Sequence, residues 1–136
     1  MNVNSKRKRI LIIAVMALAV ILIGANRLMA RLEADLKALE SEPIAQIDMG
    51  ALEDGVYTGN FSHFPVSAQV DVTVKSHAIT EIKLVKHTSG RGAAAEAIPG
   101  KVLEAQSLAV DSVSGATYSS RVILMAIENA LVAPKR

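Results

Sequence analysis

Strict alternation of apolar and polar side chains predicts one β-strand. From Val66 to Val74 every second residue is apolar, and the residues between them are polar. A period of two is typical of a strand with one buried and one solvated face. A polar turn at 75–77 and a second apolar run from Ile79 to Lys86 follow. The sequence therefore predicts an antiparallel hairpin, with Ile82 and Leu84 facing the core.

A helical period of apolar residues ends the chain. The residues that share its apolar face are Val122, Ile123, Ala126, Ile127, Ala130 and Leu131. Spacings of three and four residues place them on one buried side of a helix. The short apolar run 108–110 precedes this helix, and the stretch between them is rich in small and hydroxyl residues. We expect a short strand at 108–110, a tight turn, and then the helix.

The remaining elements complete a prediction of fold class. An edge strand is expected to begin within 54–59, with Gly59 and Asn60 interrupting it as a bulge. Residues 93–98 and 101–106 favour helix, with Pro99 and Gly100 between them. Strands thus come first and helices follow. This order predicts an α+β fold, a small antiparallel sheet with helices packed on one face.

The N-terminal part of the chain is uniformly apolar. Ile10 to Ala25 carries no charged or amide side chain over 16 residues. As a helix this run is about 24 Å long, slightly short of a hydrocarbon core of ~30 Å. Extension to Ala30 would lengthen it if Arg27 snorkels to the headgroups. The preceding basic block, Lys6 to Arg9, favours a cytoplasmic N-terminus and an extracytoplasmic remainder.

Three interpretations fit this apolar run, and we favour a single-pass membrane anchor. A cleaved signal peptide shows the same pattern. Cleavage of a signal peptide favours a small residue two positions before Ala25 or Ala30, but the sequence has Ile23 and Leu28 there. A core helix of a soluble protein would need polar residues on one face.

A helical stalk is expected after the anchor. Leucines at 28, 32, 36 and 39 line one side of the segment from Asn26 to Glu42, and Pro43 ends it. The segment would lift the domain off the membrane, or form a short coiled coil with a partner or a second copy. The expected organisation is a basic N-terminus and anchor at 1–30, a stalk and linker at 31–53, and a soluble domain at 54–136.

Composition narrows the possible functions. The chain has 136 residues, enough for one domain and an appendage, and its net charge of +2 does not indicate a nucleic-acid partner. It contains no Cys and no Trp, two Tyr and two Phe, which disfavours thiolate chemistry and aromatic base stacking. The three His residues, at 63, 77 and 87, lack the spacing of metal ligands. We therefore expect no metal site.

The stretch from Asp111 to Ser120 is the candidate functional site. Gly115 and Ala116 are small enough for a ligand to approach the backbone. Hydroxyl groups surround the predicted start of the last helix, at Ser114, Thr117, Ser119 and Ser120. Free N–H groups and the helix dipole make such a terminus suitable for phosphate. The alternative is an ordinary helix cap, in which Ser119 or Ser120 accepts the first free N–H groups.

The order of residues in this stretch carries a resemblance. Asp111, Ser114, Gly115, Ala116 and Thr117 resemble the Asp-x-x-(Ser/Thr)-Gly-Ala-Thr signature of the FMN-binding domain family. That family includes flavin-carrying subunits of the sodium-translocating NADH:quinone oxidoreductase and of Rnf-type complexes. The Asp-Gly-x-Tyr-x-Gly pattern at 54–59 and the helical stretch 97–107 resemble the same family. The resemblance covers about residues 54 to 133.

The resemblance implies a covalent cofactor. A flavin transferase would move FMN from FAD onto the Thr117 hydroxyl and leave a phosphoester link, with Asp111 serving recognition by that transferase. No His or Lys lies between Lys101 and Lys135, so the sequence near Thr117 offers no base for self-attachment. Tyr118 would stack on the flavin ring or lie partly buried in the core.

A loop after the second strand of the hairpin is the other candidate contact. His87 ends the strand, and Gly90 and Arg91 follow in a glycine-containing loop. Family members often carry a His and such a loop here, which implies flavin contacts, with Arg91 pairing with a phosphate or the ring edge. A plain surface loop is the alternative. Many members have an acidic residue two places after the His, where this chain has Ser89.

These features favour an electron relay. A domain of ~80 residues is below the usual size of a domain, and it looks too small to hold a nicotinamide site as well. We expect an electron-transfer protein or subunit, with redox partner proteins or a quinone-linked membrane complex as partners. The alternatives are an anchored interaction module without flavin and a small noncovalent flavin reductase. The latter lacks a dinucleotide fingerprint, since Gly90-Arg91-Gly92 alone is too short.

Overall fold

The computed structural model describes residues 3–90 and 92–132, and the chain divides into two compact units, Met1–Ala38 and Leu39–Arg136. Helix α1 (Val3–Ser41) forms the described part of the first unit, its last three residues belong to the second unit, and it ends just before Pro43, as the sequence predicts. Its stretch from Lys6 to Ser41 has a window of mean hydropathy 2.4. It is long and apolar enough to cross a membrane, a property that fits a membrane anchor and that a signal sequence near the N-terminus can also show.

The second unit is built on a three-stranded antiparallel sheet in the order β1-β2-β3. The strands are β1 (Gly55–His63), β2 (Val66–Lys75) and β3 (Ala78–Thr88). Alternate residues of β2 are buried from Val66 to Val74, so the predicted strand and its faces are confirmed. Ser76 and His77 have φ angles of 50° and 60°, the left-handed pair of a tight two-residue hairpin turn. Ile82 and Leu84 pack partly buried against the core.

The predicted bulge at Gly59 is wrong. Strand β1 pairs with β2 without interruption, from Gly55 opposite Val74 to His63 opposite Val66. A Cβ at Gly59 would lie 2.1 Å from the carbonyl oxygen of Ala126 in the last helix. Glycine is therefore needed because a helix backbone lies directly on the strand. The irregularities occur instead between β2 and β3.

Two α-helices complete the unit, and the α+β prediction is confirmed. Helix α2 (Ile98–Ala105) follows a short 3-10 helix at Ala93–Ala97 and has Pro99 in its first turn. Helix α3 (Thr117–Val132) packs along β1 and β2 and is buried on most of its circumference. Its outer side is covered by the segment that follows α1, since Glu128 accepts the Ala45 N–H at 3.1 Å. Such burial explains why so few polar residues interrupt α3.

The predicted strand at 108–110 is also wrong. Leu108 is buried, but its neighbours satisfy their backbone groups locally. The Val110 N–H donates to the Leu108 carbonyl oxygen at 2.9 Å, and the Ala109 N–H donates to Ser107 Oγ at 3.1 Å. At β3, the Gln106 side chain binds both the N–H and the C=O of Ile79, at 2.8 Å each. A side-chain amide thus takes the place of a further strand at this point of the edge.

Candidate functional site

The loop before α3 is folded onto the first turn of the helix by Ser120. The Ser120 hydroxyl accepts the Val113 N–H at 3.0 Å and donates to the Ala116 carbonyl oxygen at 2.8 Å. The Ala116 N–H donates to the Val113 carbonyl oxygen at 2.9 Å. The Ser120 hydroxyl therefore bonds within the loop and does not accept the free N–H groups at the start of α3. Those N–H groups point toward the space before the helix.

Gly115 is required by the shape of this loop. Its φ angle is +78°, in the left-handed region, which side chains with a Cβ adopt at a cost. No atom lies within 4 Å of the position a Cβ would occupy. The backbone conformation is thus the reason for glycine here, and the space above it is open to a ligand.

Thr117 is the first residue of α3, and its side chain is exposed. Within residues 3–90 and 92–132, its hydroxyl takes part in no hydrogen bond. The positive end of the helix dipole lies at this position and favours an anionic group. Ser114 is exposed in the same loop. A phosphate ester on Thr117 would sit where the fold offers both access and a favourable field.

A second loop contacts the same turn of α3. A Cβ placed on Gly92 would lie 1.8 Å from Ser119 Oγ and 2.5 Å from Ser119 Cβ. The loop after β3 therefore rests directly on the buried side chain of Ser119. Gly90, in the same loop, is exposed with open space around it. The structure thus brings the loop and the hydroxyl-rich stretch together, while Arg91 lies outside the described residues.

His87 is enclosed. It pairs with Ala68 across β2 and β3 and so faces the helices. Its side chain is 2% exposed, and its Nδ1 lies 3.2 Å from Glu96 Oε1. Its Nε2 is buried, and no group in the described part of the chain bonds to it. The imidazole is therefore held beneath the surface, with one nitrogen unused, and its proposed contact with a cofactor stays a prediction.

The turn between β1 and β2 is a third element at this end of the sheet, and the sequence did not assign it a role. The Tyr118 hydroxyl lies 3.0 Å from the carbonyl oxygens of both His63 and Phe64. His63 Nδ1 is hydrogen-bonded to the same hydroxyl, and the two rings meet edge to face at 74°. A phenol has one proton to donate, so the tautomer of His63 decides which of the two groups donates in their contact.

Lys101 binds the backbone at the start of the stretch Asp111–Ser120. Lys101 Nζ on α2 donates to the Asp111 carbonyl oxygen at 3.2 Å, while Asp111 itself is exposed. Arg121, one turn into α3, is occupied elsewhere, because its guanidinium binds the carbonyl oxygens of Leu39 and Glu42. The Asp111 carboxylate is thus presented at the surface, on a backbone fixed to α2.

The described residues fit a phosphate-linked cofactor. Three parts of the chain meet at the N-terminal end of α3: the stretch Asp111–Ser120, the β1–β2 turn at Phe64, and Gly92 in the loop after β3. They contact Tyr118 and Ser119, the two residues that follow the exposed Thr117. Phe64 and His63 were missed, although an aromatic residue in a polar turn was a visible signal.

Comparison with known proteins agrees with this geometry. Residues 65–132 match the family model described as FMN-binding domain. The match spans β2, β3, α2, the hydroxyl-rich loop and α3, which is half of the chain. No curated protein matches the sequence.

Proposed function

This chain belongs to the FMN-binding domain family, and we propose that it holds FMN covalently through a phosphoester to Thr117 and relays electrons outside the cytoplasm. Flavin binding follows from the family. The covalent link is supported by one observation above all: Thr117 opens α3 with an exposed hydroxyl that is free of hydrogen bonds in the described part of the chain.

Attachment requires a donor and a second protein. Thr117 Oγ would form a bond to the FMN phosphorus of FAD, the pyrophosphate P–O bond would break, and AMP would leave. The hydroxyl proton would pass to a base on a flavin transferase, because Ser120 and Lys101 are engaged with backbone carbonyls. This arrangement favours an external transferase over self-attachment.

The residues around Thr117 would hold the linked phosphate. The first turn of α3 directs N–H groups and the helix dipole at it. Gly115 leaves the loop open on one side, and Ser114 offers a further hydroxyl. Ser119, beneath Gly92, fixes the second loop beside the phosphate. When bound, FMN supplies the redox chemistry, and the protein sets its position and surroundings.

Recognition by the transferase would involve Asp111. Its carboxylate is exposed, and its carbonyl oxygen is fixed by Lys101. A rigid, accessible acidic residue six positions before the acceptor threonine is a suitable docking point for a second protein.

An electron relay at a membrane is supported by the architecture. Helix α1 is long and apolar enough to span a bilayer, and the basic residues Lys6–Arg9 precede its apolar core, which favours an extracytoplasmic C-terminal unit. A covalent link would keep the cofactor where a dissociated one would be lost. Redox partner proteins or a quinone-linked membrane complex would supply and accept the electrons.

The test is the intact mass of the full chain after co-expression with a flavin transferase. We expect an added FMN that survives denaturation, is lost in Thr117→Ala and remains in Ser112→Ala, a neighbouring hydroxyl at a variable position of the motif. Unmodified protein beside a transferase active on another substrate would refute the covalent carrier. A colourless chain would then indicate an interaction module, and flavin released by denaturation a noncovalent flavoprotein.

A further inference from the structure

We propose that Phe64 is the apolar surface against which the isoalloxazine ring of FMN lies. This inference rests on the proposed attachment at Thr117 and adds a residue that neither the sequence motif nor the family match includes, since the match begins at residue 65.

Phe64 is unusually exposed. Its side chain is 82% exposed, the highest value among large apolar residues in the described part of the chain. In the second unit the next are Val132 at 62% and Val56 at 59%. A single exposed apolar residue is common on protein surfaces, so exposure alone does not assign a ligand. The position of Phe64 is what assigns the ligand.

Phe64 is fixed beside the attachment residue. Its carbonyl oxygen lies 3.0 Å from the Tyr118 hydroxyl, and Tyr118 directly follows Thr117. The same phenol also binds the carbonyl oxygen of His63 and is hydrogen-bonded to Nδ1 of the His63 ring. The turn is therefore held about one tyrosine side chain from the backbone of Thr117, within reach of a flavin tethered there by its ribityl phosphate.

The other aromatic side chains are buried or make contacts within the protein. Tyr57 is buried and its hydroxyl donates to the Glu53 carbonyl oxygen. Phe61 packs half-buried against the core. Tyr118 is half-buried, with its ring edge to face with His63 and its hydroxyl holding the turn. With two Tyr, two Phe and no Trp in the chain, Phe64 is the aromatic side chain with a face to offer.

Contact with Phe64 would cover one face of the flavin ring. Aromatic rings stack offset from one another, and burial removes apolar surface from water on both partners. The predicted consequences are reduced access of small solutes to the flavin and electronic contact between the two rings.

Two pairs of variants test the proposal in the full chain loaded by a flavin transferase, with Val56 as the control because it is exposed at the far end of β1. Quenching of flavin fluorescence by iodide should increase in Phe64→Ala, up to about twofold as one of two ring faces is uncovered. Val56→Ala should leave it unchanged.

Substitution of Phe64 by tryptophan should lower the flavin fluorescence itself. Phe64→Trp should quench the flavin fluorescence by electron transfer from the stacked indole and shorten its lifetime, whereas Val56→Trp should not. Both sites are exposed, so neither change strains the fold. FMN on Thr117 with unaltered iodide quenching in Phe64→Ala and unquenched fluorescence in Phe64→Trp would overturn the role of Phe64 alone. An unmodified mass of the parent chain would overturn the attachment and this proposal together.

Discussion

The Ser120 hydroxyl oxygen lies 3.0 Å from the backbone nitrogen of Val113, seven residues earlier in the chain. The same hydroxyl donates to the Ala116 carbonyl oxygen at 2.8 Å, and the Ala116 N–H donates to the Val113 carbonyl oxygen at 2.9 Å. These bonds form a closed circuit that fixes the loop carrying Gly115. Thr117 is presented by that circuit.

Ser120→Ala should destabilise the second unit by about 1–3 kcal/mol, because the partly buried Val113 N–H loses its acceptor. Denaturant unfolding of the full chain in detergent measures this, and FMN incorporation should slow as the loop loosens. Ser62→Ala, at an exposed position of β1, should change stability by less than about 0.5 kcal/mol. Equal stabilities of the two variants would contradict the circuit.

Gly115→Ala should cost roughly 1–2 kcal/mol through its left-handed backbone conformation alone, because no atom opposes the added Cβ. Gly90→Ala is the matched control, since its Cβ also meets open space and its φ angle is not positive. Thermal unfolding of the flavin-free chains compares them. A Gly90 variant as unstable as the Gly115 variant would mean that the loss does not come from φ.

Gly59→Ala should destabilise the unit by about 1–3 kcal/mol or more, because its Cβ would meet the backbone of α3 at Ala126. The sheet and the helix would have to separate. Gly100→Ala, in α2 with nothing within 4 Å, should instead be neutral or stabilising by roughly 0.5–1 kcal/mol. The urea midpoint of Gly59→Ala should therefore fall while that of Gly100→Ala stays the same or rises, and an equal fall in both would refute the close packing of α3 on β1.

Gly92 and Ser119 should be energetically coupled. Gly92→Ala places a methyl group on the Ser119 side chain, so it should lower stability and disturb the loop beside Thr117. Ser119→Gly opens space for that methyl group. In a double-mutant cycle the pair should lose less stability than the sum of the single changes, by at least about 0.5 kcal/mol. Additive losses would show that the loop does not rest on α3.

Arg121→Met should loosen the end of α1, because the guanidinium binds the carbonyl oxygens of Leu39 and Glu42 there. A cation at a helix C-terminus also complements the dipole. Hydrogen exchange of peptides covering 39–46 should become faster. Lys83→Met, at an exposed position of β3, should leave that exchange unchanged, and the same rate in both variants would argue against this contact.

Elements with a strong local signal could be predicted from the sequence. The alternation from Val66 to Val74, the turn at 75–77 and the apolar face of α3 all give periodic patterns that one element satisfies by itself. The predictions were wrong where a residue distant in the sequence determines the local structure. Gly59 has the signal of a bulge, but the helix that requires it begins more than fifty residues later. The run 108–110 is apolar like a strand, yet Gln106 occupies the strand edge there.

In the candidate site, too, only the residues that are contiguous in the sequence could be predicted. Thr117 and its neighbours are recognisable because the motif is contiguous. The turn at His63 and Phe64 contacts it through Tyr118, across 55 residues. Gly92 joins through packing on Ser119. Neither contact produces a periodic pattern in the sequence, so the sequence could propose Thr117 as a site residue but could not identify the turn and the loop near it.

The hydrogen-bond circuit between Val113 and Ser120 has a practical consequence for protein engineering. All of its donors and acceptors lie inside the stretch Asp111–Ser120, so these three hydrogen bonds are specified by ten consecutive residues. Grafted ahead of a helix in an unrelated scaffold, the segment would bring these bonds with it, but the host would have to bury Ala116, Ser119 and Ser120 as this fold does. An engineered host must therefore supply a packed surface beneath the loop before it can present the exposed Thr117 side chain.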